Sequence, residues 1–115
     1  MLAIGTEEFL QNASDEQGQL PPRQTILLQN APNPFNPSTV IHYELAQTGT
    51  VRLNIYDLRG LRVRDLVAES QTPGRYQVLW DGRDNHGGAA GAGVYFARLE
   101  ATDGPAGTIK MVLLK

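Results

Sequence analysis

The chain contains no cysteine. That absence removes disulfide staples, thiol catalysis and thiolate metal sites together, so any order must come from packing and hydrogen bonds. It assigns no redox compartment, because an exported domain with an adequate core needs no staples. Long apolar runs are also missing. Met1 to Ile4 is a short apolar start with no basic residue before it, well below the roughly 7–15 residues of a signal-peptide core, and nothing reaches the ~20 residues of a membrane-spanning helix. The ten Lys and Arg are scattered singly among twelve acids. That excludes the clustered basic face with interleaved aromatics expected of a nucleic-acid binder. Histidine is limited to His42 and His86. Neither is paired with a nucleophile in a recognisable arrangement, so no catalytic residue is nominated and the chain reads as a non-enzyme.

What the sequence does have is turn chemistry. Twelve Gly and seven Pro in 115 residues fall between short apolar runs, as in a fold of strands and tight turns. With 41% hydrophobic residues the chain can build one core, and its length allows one domain. The net charge of −2 is uneven. Residues 1–22 carry Glu7, Glu8, Asp15 and Glu16 with no base, which leaves the remainder at +2. This stretch ends in Pro21-Pro22 and reads as an acidic linker or extended arm, with the folded domain over 23–115.

Seven apolar runs follow. Ile26, Leu27 and Leu28 lie in Gln24 to Gln29. Ile41, Tyr43 and Leu45 alternate with His42 and Glu44, and Val51, Leu53 and Ile55 alternate with Arg52, Asn54 and Tyr56. Leu61 to Val67 is a weaker candidate. Gly74 to Trp80 places Tyr76, Val78 and Trp80 on one face, Gly93 to Glu100 places Tyr95, Ala97 and Leu99 on one face, and Thr108 to Leu114 closes the chain. With turns at Thr48-Gly49, Arg59-Gly60, Pro73-Gly74, Asp81-Gly82, Gly87-Gly88 and Asp103-Gly104-Pro105, the pattern predicts an all-β, immunoglobulin-like antiparallel sandwich of about seven strands. A small open barrel is the competing architecture.

Three features bear on chemistry. Asp81 to Gly88 is polar enough to suggest calcium, but it lacks the ligand spacing of a calcium loop and matches what a turn needs by itself; no metal or cofactor is expected. Trp80 and the four tyrosines could form a sugar platform, yet alternation puts all but Tyr56 in the core. Ala31 to Ser38 holds three prolines around Phe35 and reads as a rigid crossover, with Phe35 plugging one end of the core.

Five motifs in order resemble the C-terminal sorting domains of the type IX secretion system, type A. They are Pro32-Asn33-Pro34-Phe35-Asn36-Pro37-Ser38-Thr39; Ile55 to Gly60, containing Asp57; Gly74-Arg75-Tyr76 leading to Trp80-Asp81-Gly82; Gly93-Val94-Tyr95; and Lys110 to Lys115. The Trp-Asp-Gly and Gly-Val-Tyr signatures are also similar to the immunoglobulin-like part of the flagellar hook-capping protein. The first resemblance implies a non-catalytic terminal domain that directs an attached N-terminal cargo to the outer-membrane secretion machinery, hence export through the periplasm to the cell surface or beyond. Recognition is expected at Lys110, Met111, Val112, Leu113, Leu114 and Lys115, because a last strand offers unpaired backbone groups and a chain end. A free-standing surface or filament subunit, self-associating through edge strands, is the alternative reading. A carbohydrate-binding accessory module is the third.

Overall fold

Alternation along Thr39–Leu45 decides the architecture. Ile41, Tyr43 and Leu45 bury their side chains while His42 and Glu44 stay partly in solvent. The same period of two governs Val51, Leu53 and Ile55, all fully buried. Two such half-buried ribbons bury their apolar faces only by packing on each other, and the computed structural model shows that arrangement. It describes residues 20, 22–102 and 104–114. The expected arm lies outside them except for Leu20 and Pro22, as does Lys115.

The strands are β1 (Ile26–Leu27), β2 (Thr39–Leu45), β3 (Gly49–Asp57), β4 (Arg62–Gln71), β5 (Gly74–Trp80), β6 (Gly93–Ala101) and β7 (Gly104–Leu113). One sheet runs β1-β2-β5 and the other β4-β3-β6-β7, with every strand pair antiparallel. This is the expected sandwich rather than a barrel. Its core combines Ile41, Tyr43, Leu45 and Trp80 from the first sheet with Val51, Leu53, Ile55, Ala97, Leu99, Met111 and Leu113 from the second.

The boundaries differ from the sequence reading in three places. β1 is only two residues long, pairing Ile26 with Glu44 and Leu27 with Tyr43. The weak Leu61 to Val67 run is instead the ten-residue β4. Its pairing with β3 shifts register between Leu53 and Asn54 and again between Ile55 and Tyr56. Those bulges put Val63, Leu66 and Val67 against the core out of strict alternation, which is why period-two reading undervalued the strand. β7 starts at Gly104, not Thr108, because Ala101 pairs directly with Gly104 across a two-residue loop. Pro105 is accommodated opposite Glu100 at a register shift, where a missing N–H costs the ladder little.

Trp80 is fully buried, and its indole Nε1 donates to the Arg83 carbonyl at 3.0 Å. Trp80→Ala opens a cavity and removes one of the two donors to that carbonyl, the other being Arg64 NH1 at 3.0 Å, so it should cost on the order of 3–5 kcal/mol in urea denaturation. Trp80→Phe, which keeps most of the volume, should cost clearly less. Equal midpoints for the wild type and Trp80→Ala would place the ring outside the core.

Candidate functional site

Proline-rich chain cannot extend a ladder through its own N–H groups, so the segment after β1 must find other partners. It finds them on the last strand. Phe35 accepts from the Leu114 amide at 2.8 Å and donates its own N–H to the Val112 carbonyl at 2.9 Å, a short parallel bridge. Asn33 Oδ1 takes the Val112 amide at 2.9 Å, and Gln29 Nε2 donates to the Lys110 carbonyl at 3.0 Å. Residues 29–35 therefore form a clasp along the C-terminal half of β7. The end of the last strand is not open in the way the sequence suggests, since the Lys110 carbonyl, both Val112 backbone groups and the Leu114 amide are already taken.

The other motifs hold this clasp in place. Phe35 is buried against Trp80 (centroids 5.5 Å apart), and Trp80 meets Tyr95 edge-on at 5.3 Å. The Tyr95 hydroxyl donates to the Gly91 carbonyl at 2.6 Å. Gly82, at φ +77°, lies so close to Pro37 that a Cβ would stand 2.7 Å from the Pro37 carbonyl oxygen. Only glycine fits both constraints. Asp81 Oδ1 accepts from the Arg83 amide and from Arg64 NH1, at 3.0 and 3.1 Å. Asp57 Oδ1 accepts from the Arg59 and Leu61 amides, turning the chain around Gly60 at φ +86°. Gly93 opens β6 opposite Leu113.

Of the expected recognition stretch, Met111 and Leu113 point into the core, while Lys110, Val112 and Leu114 face outward. Lys110 is exposed and stands in no ion pair among the described residues. It lies across from Phe96 on β6. Phe96 escaped the sequence reading, although inward Tyr95 and Ala97 require it to face out. Phe96 and its β3 partner Tyr56 line a groove of about 410 Å³, together with Leu58, Arg98, Pro105 and Thr108. Tyr43 and Tyr95 are buried, and Tyr76 stacks on Tyr43 at 5.2 Å, so the tyrosines do not assemble into one exposed platform.

The polar Asp81 to Gly88 stretch is a turn. Asp84 Oδ1 accepts the His86 and Gly88 amides, both at 2.9 Å, and Arg83 NH1 caps the Gly87 carbonyl. No group of three or more potential metal ligands converges among the described residues. The surface thus offers hydrogen-bonding and apolar contacts around one chain end.

A family model, described as the FlgD Ig-like domain, matches residues 36–105. The chain belongs to that family. The clasp residues before Asn36 and all of β7 after Pro105 lie beyond the match. Among solved structures the chain is similar to dimeric latent PorU from Porphyromonas gingivalis, with a TM-score of 0.67 and 19% identity over 78% of this chain and 9% of that one. It is also similar to PorZ, described as an essential bacterial surface component of the type IX secretion system of the same organism, with a TM-score of 0.51 and 21% identity over 76% of this chain and 11% of that one. FlgD from Xanthomonas campestris aligns at 22% identity and a TM-score of 0.48, over 80% of this chain and 63% of that one. No curated protein sequence matches. The chain spans only about a tenth of PorU and PorZ, and at these identities the likeness is one of fold.

The turn carboxylates generate a pH dependence. The Gly88 and His86 amides hold the Asp84 carboxyl below its ordinary range. At Asp57 desolvation pushes upward, but the Leu61 amide and the Arg59 side chain and amide outweigh it and the net shift is downward. A lowered folded pKa contributes stability that is complete above the unfolded carboxylate value, ~3.9, and disappears as pH falls through the folded one. The thermal midpoint should therefore drop on acidification below about pH 4. Asp84→Asn should lower the neutral midpoint and flatten that drop. Parallel curves for variant and wild type would remove Asp84 from the account.

Proposed function

We propose that this chain is a non-catalytic sorting domain that takes an attached cargo protein across the outer membrane by type IX secretion. The acidic residues 1–22 serve as the linker to that cargo. The observation that carries the reading is the clasp. Pro32-Asn33-Pro34-Phe35 and Lys110 to Lys115 are the opening and closing motifs of the sorting-domain resemblance, and residues 29–35 bind the backbone of Lys110, Val112 and Leu114 directly. Both lie largely beyond the region common to the FlgD Ig-like domain family. A receptor reading the outward side chains of Lys110, Val112 and Leu114 meets them in one geometry only when the domain is folded. That gives secretion machinery a surface by which to accept a finished domain. The family match favours a second reading, a hook-capping or other filament-associated role, in which the same sandwich serves as a structural subunit.

An export assay separates the two. The whole chain, fused behind a periplasmically targeted reporter, should carry it to the surface of a host with type IX machinery. Lys110→Ala, Lys115→Ala and Leu114→Ser should reduce export several-fold, while exposed single substitutions of this kind shift stability by only about 0.5 kcal/mol. Met111→Ala is the folding control and should lower both export and the melting temperature. A reporter that stays in the periplasm with the wild-type domain defeats the sorting role. Undiminished export by the three surface variants defeats the assignment of the site.

A further inference from the structure

A β-sandwich has four sheet edges, and three of those here are obstructed. β1 is two residues long. The C-terminal half of β7 is clasped by residues 29–35. β4 is bent by its two register shifts, and the Asp81 to Gly88 turn covers part of it: the Asn85 amide donates to the Val63 carbonyl at 3.0 Å, and Asn85 Oδ1 accepts the Asp65 amide at 2.9 Å. Among the described residues β5 has none of these devices; the Leu20 carbonyl reaches only the side chain of Arg75, at 3.1 Å from NH1. Its pairing with β2 runs from Thr39↔Trp80 to Leu45↔Gly74 without a shift, and it contains no proline.

The direction of its free groups follows from β2. Val40 exchanges hydrogen bonds with Ala31, and His42 accepts from Leu28, so both turn their backbone away from β5. Their β5 partners, Leu79 and Gln77, therefore point N–H and C=O outward, as does Arg75 two residues earlier. The side chains of these three residues are exposed, Leu79 to 57%. Leu79 pairs with half-buried Val40 across the ladder, so an apolar strip ends at the open edge. A seven-residue, unshifted and partly apolar edge of this kind is a template for another strand.

We infer that the β5 edge pairs antiparallel with the β5 edge of a second copy of this chain, about a two-fold axis through Gln77. The row Arg75, Gln77, Leu79 complements itself about that axis. Gln77 faces Gln77, and each Arg75 faces the other copy's Leu79, laying its aliphatic stem on the leucine. No like charges oppose one another, and Arg75 already has Glu44 at 3.5 Å. The two three-stranded sheets then form one continuous sheet, with the edge N–H and C=O groups of all three residues satisfied. The inference stands independently of the sorting role.

Sedimentation velocity and amide hydrogen exchange on the whole chain, from about ten micromolar to about one millimolar, test it. The weight-average mass should rise toward twice that of the monomer. Exchange at Arg75, Gln77 and Leu79 should slow with concentration, while Val78, bonded to β2, stays protected throughout. Gln77→Lys sets like charges on the axis, and Gln77→Pro removes an N–H that β2 does not use. Either should keep the chain monomeric with its circular dichroism unchanged, and Ser70→Lys on β4 should not. A wild type that remains monomeric, a dimer that survives Gln77→Lys, or loss of the dimer in Ser70→Lys overturns the proposal. If Gln77→Pro fails to fold, Gln77→Lys and the exchange pattern still decide.

Discussion

Phe35, Trp80 and Tyr95 are far apart in sequence yet meet ring to ring at one end of the sandwich. The two contacts join the crossover, the first sheet and the second sheet. Each aromatic pair adds about 0.5–1.5 kcal/mol beyond the area it buries. The larger effect is geometric. With Trp80 fixed, the turn after it must pass Pro37 closely enough that only Gly82 fits, and Phe35 is set where its backbone meets the last strand. Trp-Asp-Gly, Pro-Asn-Pro-Phe and Gly-Val-Tyr stand apart in the sequence, but here they are three parts of one junction.

Unpaired strand edges are the second constraint. A sandwich cannot close on itself as a barrel does, so each outer strand needs its own solution. This chain uses three different ones: a truncated strand, a clasp of proline-rich chain, and a bulged strand covered by a side-chain amide. Proline suits the clasp because it lends the last strand a few hydrogen bonds without offering a new ladder on its own far side. Among the described residues β5 carries none of these devices, and that contrast gives its open backbone groups their interest.

Most of the architecture was legible because alternation is a local signal. β2, β3 and β6 bury the residues that period two selects, and Trp80 sits in the core as its strand pattern requires. β4 was misjudged because bulges cut its pattern into pieces, and β7 was started late because Gly-Pro usually marks a turn rather than a strand opposite a register shift. The candidate site was legible only in part. Lys110 and its neighbours could be placed on a last strand, but the clasp depends on a contact between residues some eighty positions apart, and no periodicity encodes that. Phe96 is legible from the same alternation, since inward Tyr95 and Ala97 put it on the outer face of β6.

The clasp also bears on how a small domain can report its own folding. The hydrogen bonds from residues 29–35 to β7 form only after two segments some eighty positions apart have been brought together, a long loop closure that must precede any reward. They are therefore among the contacts that depend on the whole sandwich rather than on any hairpin within it. Outward side chains on β7 are held in register by the β6 ladder on one side and by the clasp on the other. A partner that binds Lys110, Val112 and Leu114 in that register gains affinity only from molecules in which both supports exist, because a loose strand would have to be ordered at the partner's expense. Discrimination between folded and unfolded chain then needs no separate sensor. Under the proposed sorting role, it follows from placing the side chains to be read on a strand supported from both sides.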